Sequence, residues 1–314
     1  MTPTTLVLDT DPGIDDALAL LLAARASAAR LAAVSVTYGN TTLDRAARNA
    51  RYVLARGPSA APVFAGTDRP LTRPLLTAKE THGGEGLGDL GGLPPSTPTS
   101  ASPRGLLEAL LRSEGPVTLV TLGPLTNLAL ALREDAALVR ERVRDHVMMG
   151  GNIAEAGNTG PFSEFNVWCD PEAADEVFRA GLGTVMVGLD VTRRLVLPGP
   201  AVGKLARHAD PDARWFGDLL GFYVRFHHEF EGLHGAVIND PLAVALALEP
   251  SWGTVERIPL AVDLGDGEHR GRTAPGGPGD PVIAVYRRVD TAPVHALLLE
   301  HLFGRWLTEA DFGP

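Results

Sequence analysis

The chain has 314 residues, of which 45% are hydrophobic and 21% charged, and its formal net charge at pH 7 is −10. A negative protein repels phosphate backbones, so this charge argues against polymeric nucleic acid as a partner, although neutral nucleosides and divalent cations are allowed. The single cysteine, Cys169, excludes an intramolecular disulfide, and no apolar run is long enough to span a bilayer. The first residues also lack the basic region of a signal peptide. We therefore expect a cytoplasmic protein that does not associate with membranes.

Short apolar runs alternate with helical patterns along the first two-thirds of the chain. The predicted strands are residues 6–8, 31–37, 63–65, 117–122, 147–149 and 184–187. The first two connections, at about residues 15–24 and 43–56, have helical periodicity. This alternation predicts an α/β fold with a mainly parallel central sheet flanked by helices on both faces, a Rossmann-like open sheet with extra C-terminal strands and helices. No segment resembles an interdomain linker, so residues 1–314 are predicted to form a single domain.

Two segments interrupt the alternation. Residues 66–102 form a long stretch rich in Pro, Thr and Gly, and His82 lies in its Gly-rich centre. A connection of this length in a compact domain is usually functional or disordered, so we expect it to act as a lid. Residues 222–240 have a helical pattern and contain three histidines, which we expect to be solvent-exposed on a helix or loop.

Polar residues follow the predicted strands at the points where those strands end. They are Asp9, Asp11, Asp15 and Asp16 after the first strand, Tyr38, Gly39 and Asn40 after the second, residues 122–127 after the fourth, and Asn152, Asn158, Glu164 and Asn166 after the fifth. In open parallel sheets, ligands bind outside the carboxyl ends of the strands. We therefore expect carboxylates and amides from several strands to line one site.

The four aspartates at the end of the first strand lie within eight residues and repel one another. Asp15 could be explained as a helix N-terminal residue stabilised by the helix dipole, but Asp9 and Asp11 would remain crowded. A divalent cation among the carboxylates would relieve this repulsion. Because the donors are oxygen atoms without clustered His or Cys, a hard ion, Ca²⁺ or Mg²⁺, is favoured over zinc.

Several blocks of the sequence occur together in a characteristic order between residue 6 and about residue 250. The blocks are Asp9-Thr10-Asp11-Pro12-Gly13-Ile14-Asp15-Asp16-Ala17, Gly123-Pro124-Leu125-Thr126-Asn127, Met149-Gly150-Gly151, Gly157-Asn158, Ser163-Glu164-Phe165-Asn166, Asp170-Pro171-Glu172-Ala173-Ala174 and Asn239-Asp240-Pro241-Leu242-Ala243-Val244. Together they closely resemble the inosine–uridine-preferring nucleoside hydrolase family. The resemblance implies hydrolysis of the N-glycosidic bond of ribonucleosides to free base and ribose, in purine or pyrimidine salvage, and a homodimer or homotetramer.

The resemblance also implies roles for individual residues. The Ca²⁺ ligands would be the carboxylates of Asp11, Asp16 and Asp240 and the main-chain carbonyl of Leu122. Asp11 would in addition accept the proton of the attacking water. The ribose hydroxyls would be bound by Asp15, Asn40, Asn158, Glu164 and Asn166. His82 would close over the substrate, and Phe165 could stack on the base or pack in the core.

The chain departs from the family pattern at Asn239, where the family usually has a histidine immediately before the Asp-Pro pair. In part of the family that histidine is regarded as the proton donor to the departing base. Asn239 therefore occupies a catalytic position, yet an amide can donate a hydrogen bond but cannot supply a proton near neutral pH. The alternative donors are His82, His227, His228 and His234.

Other functions remain compatible with parts of the sequence. A hydrolase of another ribosyl compound, such as nicotinamide riboside or a modified nucleoside, is favoured somewhat by Asn239. A noncatalytic ribose or nucleoside binder is disfavoured because the expected metal and ribose residues are all present. A phosphatase of the haloacid dehalogenase type also has an Asp-x-Asp strand end, but it would need a downstream Lys, and this chain is poor in Lys.

Overall fold

A nine-stranded sheet forms the centre of the computed structural model, which describes residues 2–312. The strands along the chain are β1 (Thr4–Thr10), β2 (Ala29–Val36), β3 (Val63–Ala65), β4 (Val117–Thr121), β5 (Val143–Met149), β6 (Val185–Val187), β7 (Val196–Pro198), β8 (Gly235–Val237), β9 (Gly253–Val262), β10 (Thr273–Pro275) and β11 (Val282–Val289). Strands β7 and β8 form a separate antiparallel pair. The other strands form the sheet in the order β10-β9-β11-β6-β5-β4-β1-β2-β3.

The pairing of the strands is mainly parallel. Every neighbouring pair from β3 through β1 and β4 to β11 is parallel, whereas β9 pairs antiparallel with both β11 and β10. The order reverses between β1 and β4, because β2 and β3 extend the sheet on one side and β5 and β6 on the other. Ligands of open α/β sheets bind at such a switch point.

Helices connect the strands and cover both faces of the sheet. The α-helices within the described residues are α1 (Ile14–Arg25), α2 (Leu43–Leu54), α3 (Lys79–His82), α4 (Gly105–Leu110), α5 (Thr126–Arg142), α6 (Phe165–Cys169), α7 (Pro171–Arg179), α8 (Leu189–Thr192), α9 (Gly199–Ala206), α10 (Pro211–Glu231), α11 (Asn239–Leu248) and α12 (Thr291–Leu298). Short 3₁₀ turns at Pro250–Trp252 and Glu309–Asp311 and a π-helical turn at Leu299–Phe303 complete the set.

The alternation of side chains along the strands creates two apolar cores, one on each face. In β1, Leu6 and Leu8 pack in the core beneath α1 and α11, whereas Val7 packs in the core beneath α4, α5 and α7. Because both faces are covered, these strands are apolar nearly throughout, as is typical of parallel sheets. The one charged residue of β1, Asp9, lies near the carboxyl end of the strand.

The predicted α/β architecture is confirmed, and each of the six predicted strands is present with its ends shifted by a few residues at most. The prediction for residues 222–240 is wrong in part. This stretch is not one helical segment, because it contains the end of α10, the strand β8 and the start of α11. Helix α10 ends at Gly232, whose φ of 69° is readily adopted only by glycine. Within residues 2–312, no helix combines the length and the apolar character needed to cross a membrane.

Candidate active site

A cavity of about 690 Å³, measured to its open mouth, lies at the carboxyl ends of the parallel strands. Its walls come from the loops after β1, β2, β4 and β5, from α3 and α10, and from the start of α11. Ten of the residues expected in the site line it: Asp15, Asn40, His82, Leu122, Asn158, Glu164, Phe165, Asn166, Asn239 and Asp240. Asp11 and Asp16 are buried beneath this lining. Residues more than 200 positions apart therefore meet at the switch point between β1 and β4.

Buried carboxylates form the floor of the cavity. Asp11 follows β1, Asp15 and Asp16 lie in the first turn of α1, and Asp240 lies in the first turn of α11. Within residues 2–312, one group of acidic side chains has ligand atoms within 4.8 Å of one another, and it consists of Asp15, Asp16 and Asp240. Asp15, expected among the ribose-binding residues, thus lies in the carboxylate cluster. Asp11, expected among the metal ligands, is not part of that group.

Hydrogen bonds hold the floor carboxylates in place. The main-chain N–H of Asn40 donates to Asp11 Oδ2 at 2.6 Å, and its side-chain amide donates to Asp16 Oδ2 at 2.8 Å. Asp16 Oδ2 also accepts from the N–H of Gly13 at 2.9 Å, and Oδ1 accepts from the Thr10 hydroxyl. Asp16 therefore caps the start of helix α1 in addition to lying in the carboxylate cluster, whereas the helix-terminal role was expected for Asp15, which lies in the same first turn. Asp11 Oδ1 is buried without a hydrogen-bond partner.

Burial and mutual repulsion raise the pKa of these carboxyl groups. Burial and then the charge of the neighbouring Asp15 raise the pKa of Asp16 to about 6, against the lowering effect of its hydrogen bonds. The pKa of Asp11 is raised well above its usual range by burial and by the charge of Asp16. Burial also raises the pKa of Asp240, as do the charges of Asp16, Asp15 and Asp11. The cluster is therefore unfavourable in its fully ionised form unless positive charge is present.

The loop after β5 supplies a second wall of the cavity. The Glu164 carboxylate caps helix α6 by accepting from the N–H groups of Gly151 at 2.9 Å, Asn166 at 2.9 Å and Val167 at 3.1 Å. The side-chain amide of Asn166 donates to the Leu122 carbonyl at 2.7 Å. Glu164 and Asn166 are thus fixed in position by the backbone while their side chains line the cavity.

The Asn158 side chain is also held by the start of α6. Its Oδ1 accepts a hydrogen bond from the Phe165 N–H at 2.9 Å, and the Phe165 ring stacks on Trp168 with centroids 6.5 Å apart. Phe165 lines the cavity, so the core-packing and base-contact interpretations of this ring both have a structural basis.

The wall opposite Glu164 is built by His82, Tyr223 and Asn239. His82 is only 5% exposed, and its Nδ1 accepts a hydrogen bond from the Ile14 N–H at 3.1 Å. A neutral His82 ring therefore carries its proton on Nε2. Burial lowers the pKa of His82 to about 4. Asn239 donates to Asp15 Oδ2 from its side-chain amide at 3.1 Å, and that amide lies 3.5 Å from the Tyr223 hydroxyl.

The sequence interpretation missed residues on helix α10. Tyr223, His227 and Glu231 follow one another at intervals of four and line the cavity with Phe226. The expectation of an exposed histidine is wrong for His227, which is 4% exposed. The interval of four places these side chains on one helix face, but the sequence alone does not indicate that this face meets the cavity. Arg193, which follows α8, was also missed.

These features define a doubly wound α/β protein with an acidic pocket of hard oxygen donors at its switch point. The sequence model of the family described as inosine-uridine preferring nucleoside hydrolase matches residues 6–296. The chain belongs to this family. It is accordingly an enzyme that cleaves the N-glycosidic bond of ribonucleosides.

Individual relatives agree with the family assignment. The chain is 34% identical over 271 residues to a pyrimidine-specific ribonucleoside hydrolase, RihB, of Escherichia coli O157:H7, covering 85% of this chain and 86% of the relative. It is similar to a solved plant nucleoside hydrolase with a TM-score of 0.86 and 30% identity, covering 96% and 99% of the two chains. A purine-preferring ribonucleoside hydrolase from Gardnerella vaginalis aligns with a TM-score of 0.85 and 27% identity, covering 96% and 98%.

Proposed function

We propose that this enzyme hydrolyses ribonucleosides to free base and ribose with the help of one Ca²⁺ ion at the buried carboxylate cluster. The observation that carries the proposal is the buried group of Asp15, Asp16 and Asp240, whose carboxylate oxygens lie within 4.8 Å of one another, with Asp11 buried near enough for the charge of Asp16 to raise its pKa. The charged side chains that most affect the pKa of Asp240 are the carboxylates of Asp16, Asp15 and Asp11. Among the described residues, no cationic side chain belongs to this set and compensates the negative charge.

The donor set fits a calcium ion. Carboxylate oxygens of Asp16 and Asp240 lie within 4.8 Å of each other, so their charges repel when no cation is bound. Asp11 Oδ1 has no hydrogen-bond partner although it is buried, and a cation would satisfy it. Calcium accepts six to eight oxygen ligands in flexible geometry. We assign Asp11, Asp16, Asp240 and the Leu122 carbonyl as its protein ligands, and the position of Asp15 makes it an additional candidate.

When bound, the ion would polarise the attacking water and hold ribose hydroxyls. The chain's own residues supply the remaining steps. Asp11 accepts the proton of the water as a general base. As the glycosidic bond breaks, the ribose ring gains positive charge, as in glycoside hydrolysis generally. The surrounding carboxylates stabilise that charge.

The ribose is positioned by the second wall. We propose that Asn40, Asn158, Glu164 and Asn166 form hydrogen bonds with the ribose hydroxyl groups. Asp15 would contact a ribose hydroxyl that does not bind the ion. Because backbone hydrogen bonds fix Glu164 and Asn166, the ring would be held near the attacking water without ordering these side chains at the moment of reaction.

Departure of the base is assisted by neutral groups. With its pKa lowered to about 4, His82 is uncharged near neutral pH, and its Nε2–H can donate a hydrogen bond but not readily a proton. The Asn239 amide can likewise donate a hydrogen bond but not a proton. The Tyr223 hydroxyl has the same limitation, because burial raises the pKa of Tyr223 well above its usual range. This wall therefore favours leaving groups that need little protonation. Nicotinamide riboside or a modified nucleoside is accordingly a second candidate substrate.

The names of the relatives bear on the base that is preferred. The name of the Escherichia coli relative supports pyrimidine nucleosides as substrates, whereas that of the Gardnerella vaginalis structure supports purine nucleosides. We propose a cytoplasmic homodimer or homotetramer in which residues 1–314 form one domain.

The proposal is tested by incubating the purified enzyme with uridine, cytidine, inosine, adenosine and nicotinamide riboside and measuring free ribose. We expect ribose from at least one of them, loss of activity with a chelator and recovery with Ca²⁺. Asp240→Asn should weaken calcium binding, whereas Asp145→Asn, an exposed change on β5, should not. Ca²⁺ should also raise the melting temperature of the parent, since a ligand stabilises the state that binds it. Full activity in excess chelator would contradict the calcium assignment.

A further inference from the structure

The cavity continues past the carboxylates and the ribose wall to a group of charged side chains. Arg193, His227 and Glu231 line this outer end. Tyr223 marks the inner end, because Asn239 links it to Asp15. Glu231 lies eight residues farther along α10, which is about 12 Å along the helix axis. This span is comparable with the length of a nucleoside from its ribose to the distal edge of its base.

The charged groups at the outer end are close to one another but not hydrogen-bonded. The Glu231 Oε1 atom is 4.0 Å from an Arg193 guanidinium nitrogen, and Oε2 is 3.9 Å from His227 Nε2. Both distances exceed those of hydrogen bonds in proteins. Within the described residues, the Glu231 carboxylate accepts no hydrogen bond, and the Glu231 and Arg193 side chains are 25% and 29% exposed. The Arg193 guanidinium donates one hydrogen bond, to the Gly157 carbonyl at 3.3 Å, and its other N–H groups together with the Glu231 carboxylate remain available to a ligand.

The contact between His227 and the Tyr223 carbonyl determines which ring nitrogen of His227 can accept a hydrogen bond from a ligand. Its Nδ1 lies 2.8 Å from the Tyr223 carbonyl, which can only accept, so Nδ1 carries a proton. In a neutral ring Nε2 is then an acceptor, and it faces the Glu231 carboxylate. Two acceptors side by side favour a ligand that brings an N–H group. The aromatic rings of Tyr223 and Phe226, 4.3 Å and 5.5 Å from the His227 ring, form an apolar strip between the two ends.

We propose that Glu231 and Arg193 are specificity-determining residues that read the distal edge of the base. Glu231 accepts a hydrogen bond from an N–H of the base, and Arg193 donates one to the adjacent oxygen or nitrogen acceptor. The preferred substrates are therefore ribosides whose base carries a donor next to an acceptor at that edge. This inference rests on the proposed function, since it places the ribose over the carboxylates.

The experiment compares matched substrates that differ only at this edge. Uridine is paired with the riboside of 2-pyrimidinone, which lacks the N3–H and the 4-oxygen, and inosine is paired with purine riboside, which lacks the N1–H and the 6-oxygen. The parent enzyme should prefer the complete base of the ring size that it accepts by about 10- to 100-fold in kcat/KM, the range expected for hydrogen bonds to charged groups. Glu231→Ala and Arg193→Ala should each reduce this ratio by at least about tenfold.

Two exposed neighbours provide matched controls. Glu229→Ala, on the same helix, and Arg194→Ala, next in sequence to Arg193, remove the same charges outside the cavity lining and should leave the ratio unchanged. A ratio near one in the parent, or an unchanged ratio in both Glu231→Ala and Arg193→Ala, overturns the inference. If no riboside yields ribose, the hydrolytic proposal fails. In that case the equilibrium dissociation constants of the same substrate pairs are measured for the parent and both variants. Their ratios then decide whether Glu231 and Arg193 recognise the base.

Discussion

The two ends of the cavity are built in different ways. At the inner end, Asp11, Asp16 and Glu164 extend from strand ends and helix starts, and each accepts a hydrogen bond from at least one main-chain N–H. At the outer end, Glu231 is the last residue of helix α10, and Arg193 lies in the turn after α8. Within residues 2–312, the Glu231 carboxylate accepts no hydrogen bond. The rigid end suits bond cleavage, which needs groups held in advance, and the loosely held end suits selection of the leaving group.

The difference between the two ends predicts how substitutions at each end should affect catalysis. Changes at the inner end should reduce turnover of every riboside, because each substrate presents the same ribose. Changes at the outer end should alter the ratio between substrates. The following predictions test this division, beginning with the largest expected effect.

Asp11→Asn should abolish most activity on all ribosides alike. Asparagine keeps the shape of the side chain but cannot accept a proton, and removal of a general base typically lowers kcat by about 10²–10⁴-fold. The fold should survive, because the substitution removes a buried charge whose pKa is already raised by burial. Ribose release and the melting temperature are measured on the same preparation. Residual activity within about tenfold of the parent would exclude Asp11 as the proton acceptor.

Gly13→Ala should impair the inner end of the cavity and the wall that contains His82 at once. A Cβ atom at Gly13 would lie 2.5 Å from His82 Nδ1 and 2.6 Å from the Asn40 side-chain nitrogen, so both side chains would have to move. A displacement of about 1 Å in a catalytic group can cost about 10²-fold in rate. We expect a loss of that order in kcat/KM for every riboside. Gly84→Ala, whose Cβ would meet nothing within 4 Å, is the control in the neighbouring segment and should be close to the parent.

The sequence predicts the inner end better than the outer end for a physical reason. Buried parallel strands are apolar nearly throughout, so Asp11, Asn40 and Leu122 could be located simply as the residues that follow such strands. Asp240 was located through the family motif rather than through any local pattern. The assigned roles of all these residues remain predictions, although the structure brings the residues together around one cavity.

The outer end was not predictable because it depends on how distant elements pack. His227 has the same local pattern as an exposed helical histidine, yet α10 packs so that this face meets His82 and the cavity. Similarly, residues 66–102 were expected to form a lid, and in the structure α3 places His82 against the start of α1. Whether that segment opens remains a prediction.

Asn239→His should change selectivity more than overall activity. In the parent, the wall formed by His82, Asn239 and Tyr223 offers only neutral hydrogen-bond donors to the base, so the enzyme should favour p-nitrophenyl riboside, an activated substrate, over inosine. A histidine at this position could supply a proton, and the inosine to p-nitrophenyl riboside ratio of kcat/KM should rise by about tenfold or more. If the parent already hydrolyses inosine efficiently and the ratio does not change, another residue donates the proton. His82→Gln would then be the next variant to measure.

The smallest effect should come from a buried histidine outside the cavity. His146 lies in β5, and its Nε2 and Nδ1 are each 3.0 Å from a threonine hydroxyl, those of Thr121 and Thr184. Burial lowers the pKa of His146 to about 3, whereas an unfolded histidine has a pKa of about 6.5. The unfolded chain therefore binds this proton first. The stability contributed by the neutral ring is complete above pH 6.5 and is lost as the pH falls toward 3.

Between pH 7 and pH 5, His146 alone should lower the free energy of unfolding by about 2 kcal/mol. His146→Gln keeps a side chain that can donate and accept but removes the titration, so its stability should decline less steeply over this range by that amount. Urea unfolding of both proteins at several pH values measures the difference. His228→Gln, an exposed substitution, is the control and should retain the parent's slope. Because His146 does not line the cavity, His146→Gln should also keep the parent's preference among ribosides, and a changed preference would contradict the separation between groups that stabilise the sheet and groups that select the substrate.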